Sequence, residues 1–142
     1  MEKMTKEECL AFLGTGTRTG KLATVREDGR PHVVPIWFVL DGDRLIFNTW
    51  HSSVKALNMQ RDQRVAVCVD EMEPPYQFVS IEGRVTMSTD LAQIKNWATQ
   101  IGGRYMGADR AEEFGERNGV EGELLVTLTV DKWIGRKNVA GE

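Results

Sequence analysis

The 142-residue chain reads as one domain over 1–142, mainly β and of α+β class, an antiparallel barrel with helices plugging its ends. Three observations predict this. Apolar and polar residues alternate with a period of two in several short segments, as half-buried strands require. Gly-containing turns join successive segments as hairpins. The segment order β-β-β-α-β-β-α-β contains no βαβαβ series, so a doubly wound parallel sheet is excluded.

The elements follow in chain order. Thr5-Lys6-Glu7-Glu8 is a capping box, and Gly14 stops the helix that it starts. Leu22–Val25 is a short strand, and Glu27-Asp28-Gly29-Arg30 turns the chain into a longer strand, His32–Leu40. Asp41-Gly42-Asp43 turns it again into Arg44–Trp50. Ser52 or Ser53 caps the next helix, on which Val54, Leu57, Asn58 and Arg61 share a face. Arg64–Asp70 and Gln77–Met87 are strands separated by the proline-rich turn Glu71–Tyr76. Thr89 caps a helix through about Gln100, the 102–122 stretch is irregular or partly helical, and Leu124–Val130 is the last strand before a Trp133–Lys137 tail. Six strands and two to four helices result.

Composition narrows the function. Hydrophobic residues make up 41% and charged residues 27%, the balance of a domain that buries its own core. The net charge of −3 lacks the basic excess that nucleic-acid binding needs. The longest apolar run, Ile36–Leu40, is too short to span a bilayer, and no apolar leader opens the chain. Cys9 and Cys68 read as buried, reduced thiols, so the expected compartment is the cytoplasm.

Several motifs resemble chemistry without supplying it. Gly14–Lys21 lacks the third glycine of a dinucleotide fingerprint, because Thr19 holds that place. It also lacks the P-loop pattern, because Thr15 and Leu22 hold the Gly and Ser/Thr places. Its role is that of a turn. His32 and His51 are the two histidines, and neither has a metal-ligand spacing, so no metal site is expected. No Gly-x-Ser-x-Gly elbow exists, and Asp70, Glu71 and Glu73 read as a solvated loop.

Thr49–Arg64 is different. A strand runs there into a helix N-terminus bearing Thr49, Ser52, Ser53 and Lys55 within seven positions. Free N–H groups, hydroxyls, a cation and the helix dipole all favour an anion. An ordinary capped helix with a surface lysine fits the same residues, and the pattern alone leaves both open.

A resemblance bears on that choice. Gly29-Arg30-Pro31-His32-Val33-Val34-Pro35-Ile36-Trp37-Phe38, the strand end Phe47-Asn48-Thr49, Lys55-Ala56-Leu57-Asn58 and Arg61-Asp62-Gln63-Arg64-Val65 together are similar to the pyridoxamine phosphate oxidase-like split-barrel proteins. Within that group, the chain resembles the branch using the deazaflavin coenzyme F-420, over Cys9 to Val130. The resemblance implies an antiparallel split β-barrel and a homodimer with cofactor grooves at the interface. The flavin oxidases carry Thr-x-x-x-Ser-x-Lys at this junction, and Thr49, Ser53 and Lys55 match it. Lys55 is thereby implied as the partner of the cofactor phosphate, with Ser52 or Ser53 assisting. Pro35, Ile36 and Trp37 are implied to lie along the tricyclic ring.

Departures from the oxidases matter as well. Val54 stands where they have a second cation, and His32–Leu40 lacks their Arg and Lys. Their C-terminal Arg-Leu-His-Asp-Arg clamp is missing from Trp133–Asn138. The implied function is hydride transfer from reduced F-420 to a conjugated, electron-poor acceptor, with no side chain singled out as catalytic. The alternatives are an FMN-binding flavoenzyme on the same fold and a non-catalytic cofactor- or tetrapyrrole-binding protein.

Overall fold

The computed structural model describes residues 1–141. Strand β1 (Glu2–Lys3) precedes helix α1 (Lys6–Gly14). Thr5 opens that helix: its hydroxyl accepts from Glu8 N while the Glu8 carboxylate accepts from Thr5 N, satisfying two orphan donors. Strands β2 (Gly20–Val25) and β3 (Pro31–Ile36) form one hairpin, β4 (Val39–Asp41) and β5 (Arg44–Trp50) the next. Helix α2 (Val54–Arg61) leads to β6 (Arg64–Asp70) and β7 (Phe78–Ser88). Helix α3 (Leu91–Met106), a 3-10 turn (Ala108–Arg110), α4 (Ala111–Asn118) and β8 (Glu123–Lys137) follow.

All eight strands share one antiparallel sheet, ordered β3-β2-β6-β7-β8-β5-β4, with β1 beside the end of β8. The outer strands β3 and β4 are consecutive in sequence, so the two ends of the path meet and the sheet closes into a split barrel. A bulge bends the long β7–β8 ribbon: Glu82 faces Lys132 and Gly83 faces Val130, leaving Asp131 unpaired.

Period-two alternation sends Leu22, Phe47, Val67, Ile81 and Leu128 into the core, together with Phe38 from the β3–β4 link. On β5 three consecutive residues, Leu45, Ile46 and Phe47, are buried. Leu45 and Phe47 face the barrel core, while Ile46 packs outside it with Ile94 of α3 and Leu125.

Five sequence expectations need correction. His32–Leu40 is not one strand: the ladder breaks at Trp37-Phe38, where α3 supplies the backbone partners instead. Gly102-Gly103 do not end α3, which runs to Met106. A Cβ on Gly102 would stand 2.4 Å from Phe114 Cβ, so this glycine lets α4 approach closely. Asp90, not Thr89, caps α3 by accepting from Gln93 N. The Trp133–Lys137 tail belongs to β8, paired with β7, and Cys68 is half-buried rather than buried. Among the described residues no helix is long and apolar enough to cross a membrane.

Candidate functional site

Local chemistry fixes the start of α2. Ser53 is its cap, accepting from Ala56 N at 3.2 Å, and its hydroxyl meets that of buried Thr49 at 2.9 Å. Ser52 precedes the cap and is exposed. Inside the helix, buried Asn58 donates to Thr24 Oγ1 at 3.0 Å and seats α2 on β2. Lys55 is thus carried on an anchored first turn.

Long-range pairing brings β8 alongside. Trp50 is in register with Glu123, and His51 donates its backbone N–H to Gly122 O at 2.9 Å. Gly122 has φ +102°, and a Cβ there would stand 2.4 Å from the Trp50 ring, so only glycine permits this turn. Asn48 Nδ2 donates to Glu123 Oε1 at 3.0 Å. The other carboxylate oxygen, Oε2, is buried without a partner among the described residues.

Lys55 and Glu123 open into one cleft of about 280 Å³, with Asn48 and Asn118 beside them and Pro35, Ile36 and Trp37 as its opposite wall. The sequence-singled Lys55, Pro35, Ile36 and Trp37 are therefore brought together. Thr49, Ser52 and Ser53 are not in this lining; the Thr49 and Ser53 hydroxyls bond to each other, and Ser53 accepts from Ala56 N. Burial pushes the Lys55 ammonium below the ordinary lysine pKa, opposed by the Glu123 charge, and among the described residues no hydrogen bond holds it. Burial pushes the Glu123 carboxyl up, while the Asn48 hydrogen bond and Lys55 pull it down.

The opposite wall rests on α3. Trp37, 37% exposed, stacks on Tyr105 with centroids 5.1 Å apart and planes 1° from parallel. The Tyr105 hydroxyl donates to Arg18 O at 2.8 Å and accepts from Phe38 N at 3.3 Å. The neighbouring Arg104 guanidinium donates to the carbonyls of Leu13 and Phe38, each at 2.7 Å, and of Gly16 at 3.0 Å. This clamp gives the Gly14–Lys21 turn the geometric role that its sequence suggested.

Tyr105, Arg104 and Glu123 escaped the sequence reading. The spacing Ile94, Ala98, Ile101, Tyr105 is a helical stripe that continues past Gly102-Gly103 and would have exposed the first two. Asp70 and Glu71, read as solvated, pair with Lys21 and Arg18.

A family model described as pyridoxamine 5'-phosphate oxidase matches residues 5–136, nearly the whole barrel. The chain belongs to this family. Curated proteins give no sequence match. Among solved members of the pyridoxamine phosphate oxidase-like fold, a conserved hypothetical protein of Mycobacterium tuberculosis has a TM-score of 0.84 at 23% identity, covering 95% of this chain and 86% of that one. An F-420 reductase has a TM-score of 0.69 at 26% identity, covering 86% and 93%. An FAD-binding protein of Mesorhizobium loti has a TM-score of 0.69 at 23% identity, covering 94% and 95%. In this pyridoxamine phosphate oxidase-like barrel, the cleft combines a flat aromatic wall, a cation and a carboxyl oxygen that lacks a donor.

Proposed function

We propose that the protein is an oxidoreductase that seats a flavin-type tricyclic cofactor, the deazaflavin F-420, in the Trp37–Lys55 cleft. The observation that carries this reading is Lys55: a half-buried ammonium without a hydrogen-bond partner among the described residues, opening beside an exposed, stacked indole. Leaving a desolvated cation unpaired is costly, so an anion or carbonyl oxygen of a ligand is the fitting partner. The Glu123 oxygen without a donor fits hydroxyls of a polyol side chain. When bound and reduced, such a cofactor supplies a hydride to a conjugated, electron-poor acceptor.

The residues of this chain then have defined work. Lys55 takes the cofactor phosphate. Pro35, Ile36 and Trp37 lie along the ring, and Tyr105 and Arg104 hold that wall in place. Thr49, Ser52 and Ser53 build and flank the helix start that presents Lys55. The likeness to an F-420 reductase at 26% identity supports the deazaflavin. Val54, exposed where the flavin oxidases carry a second cation, weighs against FMN.

We also propose that a second copy of the chain completes the groove. Val33 on the edge strand β3, and Val54 and Leu57 on α2, are exposed apolar side chains suited to cover by that copy. Light scattering should give twice the 16.0 kDa chain mass. Titrating the protein with F-420 and with FMN under fluorescence tests the cofactor. Quenching by F-420, followed by oxidation of the reduced cofactor on adding menadione, is expected. Tight FMN binding without F-420 binding would make it a flavoenzyme, and binding without turnover a storage or sensing protein.

A further inference from the structure

Resting on the reading of the cleft as a flavin-type cofactor site, we propose that Glu123 selects the charge state of the cofactor phosphate, admitting a phosphodiester and disfavouring a phosphomonoester. Among the described residues the cleft holds one cation, Lys55, and one carboxyl, Glu123. No other charged group lines it: β3 presents Pro35 and Ile36, the β3–β4 link Trp37, α3 Ile101, and β5 and α4 present Asn48 and Asn118. His51 bonds the neighbouring Gly122 carbonyl and is exposed, outside the lining.

An ionised Glu123 is poorly quenched. Asn48 donates to Oε1, but Oε2 is buried with no donor, and Lys55 is the one countercharge. The pair together adds close to zero charge to the cleft. A phosphomonoester carries about −1.5 to −2 at neutral pH, with a second pKa near 6. A diester phosphate carries a single charge. Lys55 attracts both, and Glu123 repels the dianion about twice as strongly as the monoanion, because Coulomb energy scales with the charge product. A repulsive element that costs the wrong ligand more than the right one is how specificity is commonly built.

The fold makes Glu123 a fixed feature of the cleft. It is in register with Trp50, follows the glycine on which that indole sits, and has Oε1 held by Asn48. A carboxyl so placed cannot swing out to solvent without breaking the Asn48 bond.

The test measures affinity by ring fluorescence at pH 8 for riboflavin, FMN, the singly charged diester riboflavin 4′,5′-cyclic phosphate, and F-420, in the wild type and in Glu123→Gln. Glutamine keeps an acceptor for Asn48 and removes the charge. Each phosphate is read as its affinity relative to riboflavin in the same protein, which takes the polyol contact out of the comparison. Because one charge is removed, the relative gain for the monoester should be about the square of that for the diester: about 10-fold for FMN against about 3-fold for the cyclic phosphate. Equal relative gains, or none, would overturn the proposal. A second readout uses the titration of the ligand. As the second phosphate proton leaves near pH 6, the FMN-over-riboflavin advantage should grow more in Glu123→Gln than in the wild type. Equal growth in the two proteins overturns the charge filter. Absence of binding by riboflavin and F-420 alike would instead overturn the cofactor reading itself, and this inference with it.

Discussion

The two walls of the cleft differ in how completely their polar groups are answered. On the aromatic side, Tyr105 both donates and accepts, Arg104 donates to three carbonyls, and the Trp37 indole lies flat on a neighbour. On the polar side, among the described residues, Lys55 has no hydrogen bond and one oxygen of Glu123 has no donor. The first wall is finished by folding; the second has valences left for something outside the chain. A satisfied network rigidifies its surroundings, whereas an unsatisfied one is tolerated where a ligand completes it. Substitutions on the two walls should therefore register in different measurements.

The largest effect is expected from the finished wall. Arg104→Ala removes donors from the carbonyls of Leu13, Gly16 and Phe38 at once. A loss of about 3 kcal/mol in unfolding free energy is expected, given the cost of stranding carbonyls that had charged donors. Urea denaturation measures it, and a loss below about 1 kcal/mol would break the comparison. Lys55→Ala should show the opposite pattern. Cofactor affinity should fall by about 1.5–3 kcal/mol, the scale of a charge-assisted hydrogen bond. Unfolding free energy should not fall, because no folded-state hydrogen bond is lost. Unchanged affinity in a folded variant would remove Lys55 from the site.

The same division explains what the sequence made legible. Features written in neighbouring residues were readable: the Thr5–Glu8 capping box, the Ser53 cap, the hairpin turns, and the Thr49, Ser53, Lys55 spacing. Features made by distant partners were not. The β3–β4 break looks like one apolar strand until Tyr105 and Arg104, far along the chain, take the Phe38 backbone. Glu123 belongs to no sequence motif, and becomes a cleft residue only when β5 pairs with β8. Gly102-Gly103 suggest a helix end because their reason, the approach of Phe114, lies on another helix. Motifs located the cleft, and tertiary pairing supplied half its polar groups.

A smaller effect separates the walls by pH. Glu123 has its folded-state pKa raised by burial, so over that interval the folded chain holds more proton than the unfolded one. Below the unfolded pKa, near 4.3, both states are protonated and there is no effect. As pH rises through the raised folded pKa, stability is lost. The wild type should therefore lose stability relative to Glu123→Gln as pH rises above about 4.3. Denaturation midpoints of the two proteins across pH 4–8 test the sign; a wild type that gains on the variant would mean the carboxylate is well solvated or paired.

The smallest expected effect concerns His51, which stands at the junction of the polar wall yet outside its lining. Its backbone N–H and its Nδ1 both meet the Gly122 carbonyl, at 2.9 and 3.0 Å, and its side chain is exposed. It therefore holds the β5–α2 turn against β8 and presents no group to the Lys55–Glu123 cleft. Removing the imidazole leaves the backbone bond, the Trp50–Gly122 packing and the strand register in place. General acid–base groups contribute about 10²–10⁴-fold to rate, which sets a clear threshold. With cofactor saturating, His51→Ala should lower kcat by less than about 10-fold, below that range. Stopped-flow oxidation of reduced F-420 by menadione measures it. A loss beyond about a hundredfold with binding intact would place proton transfer at the imidazole, and would make the polar wall a catalytic one as well as a binding one.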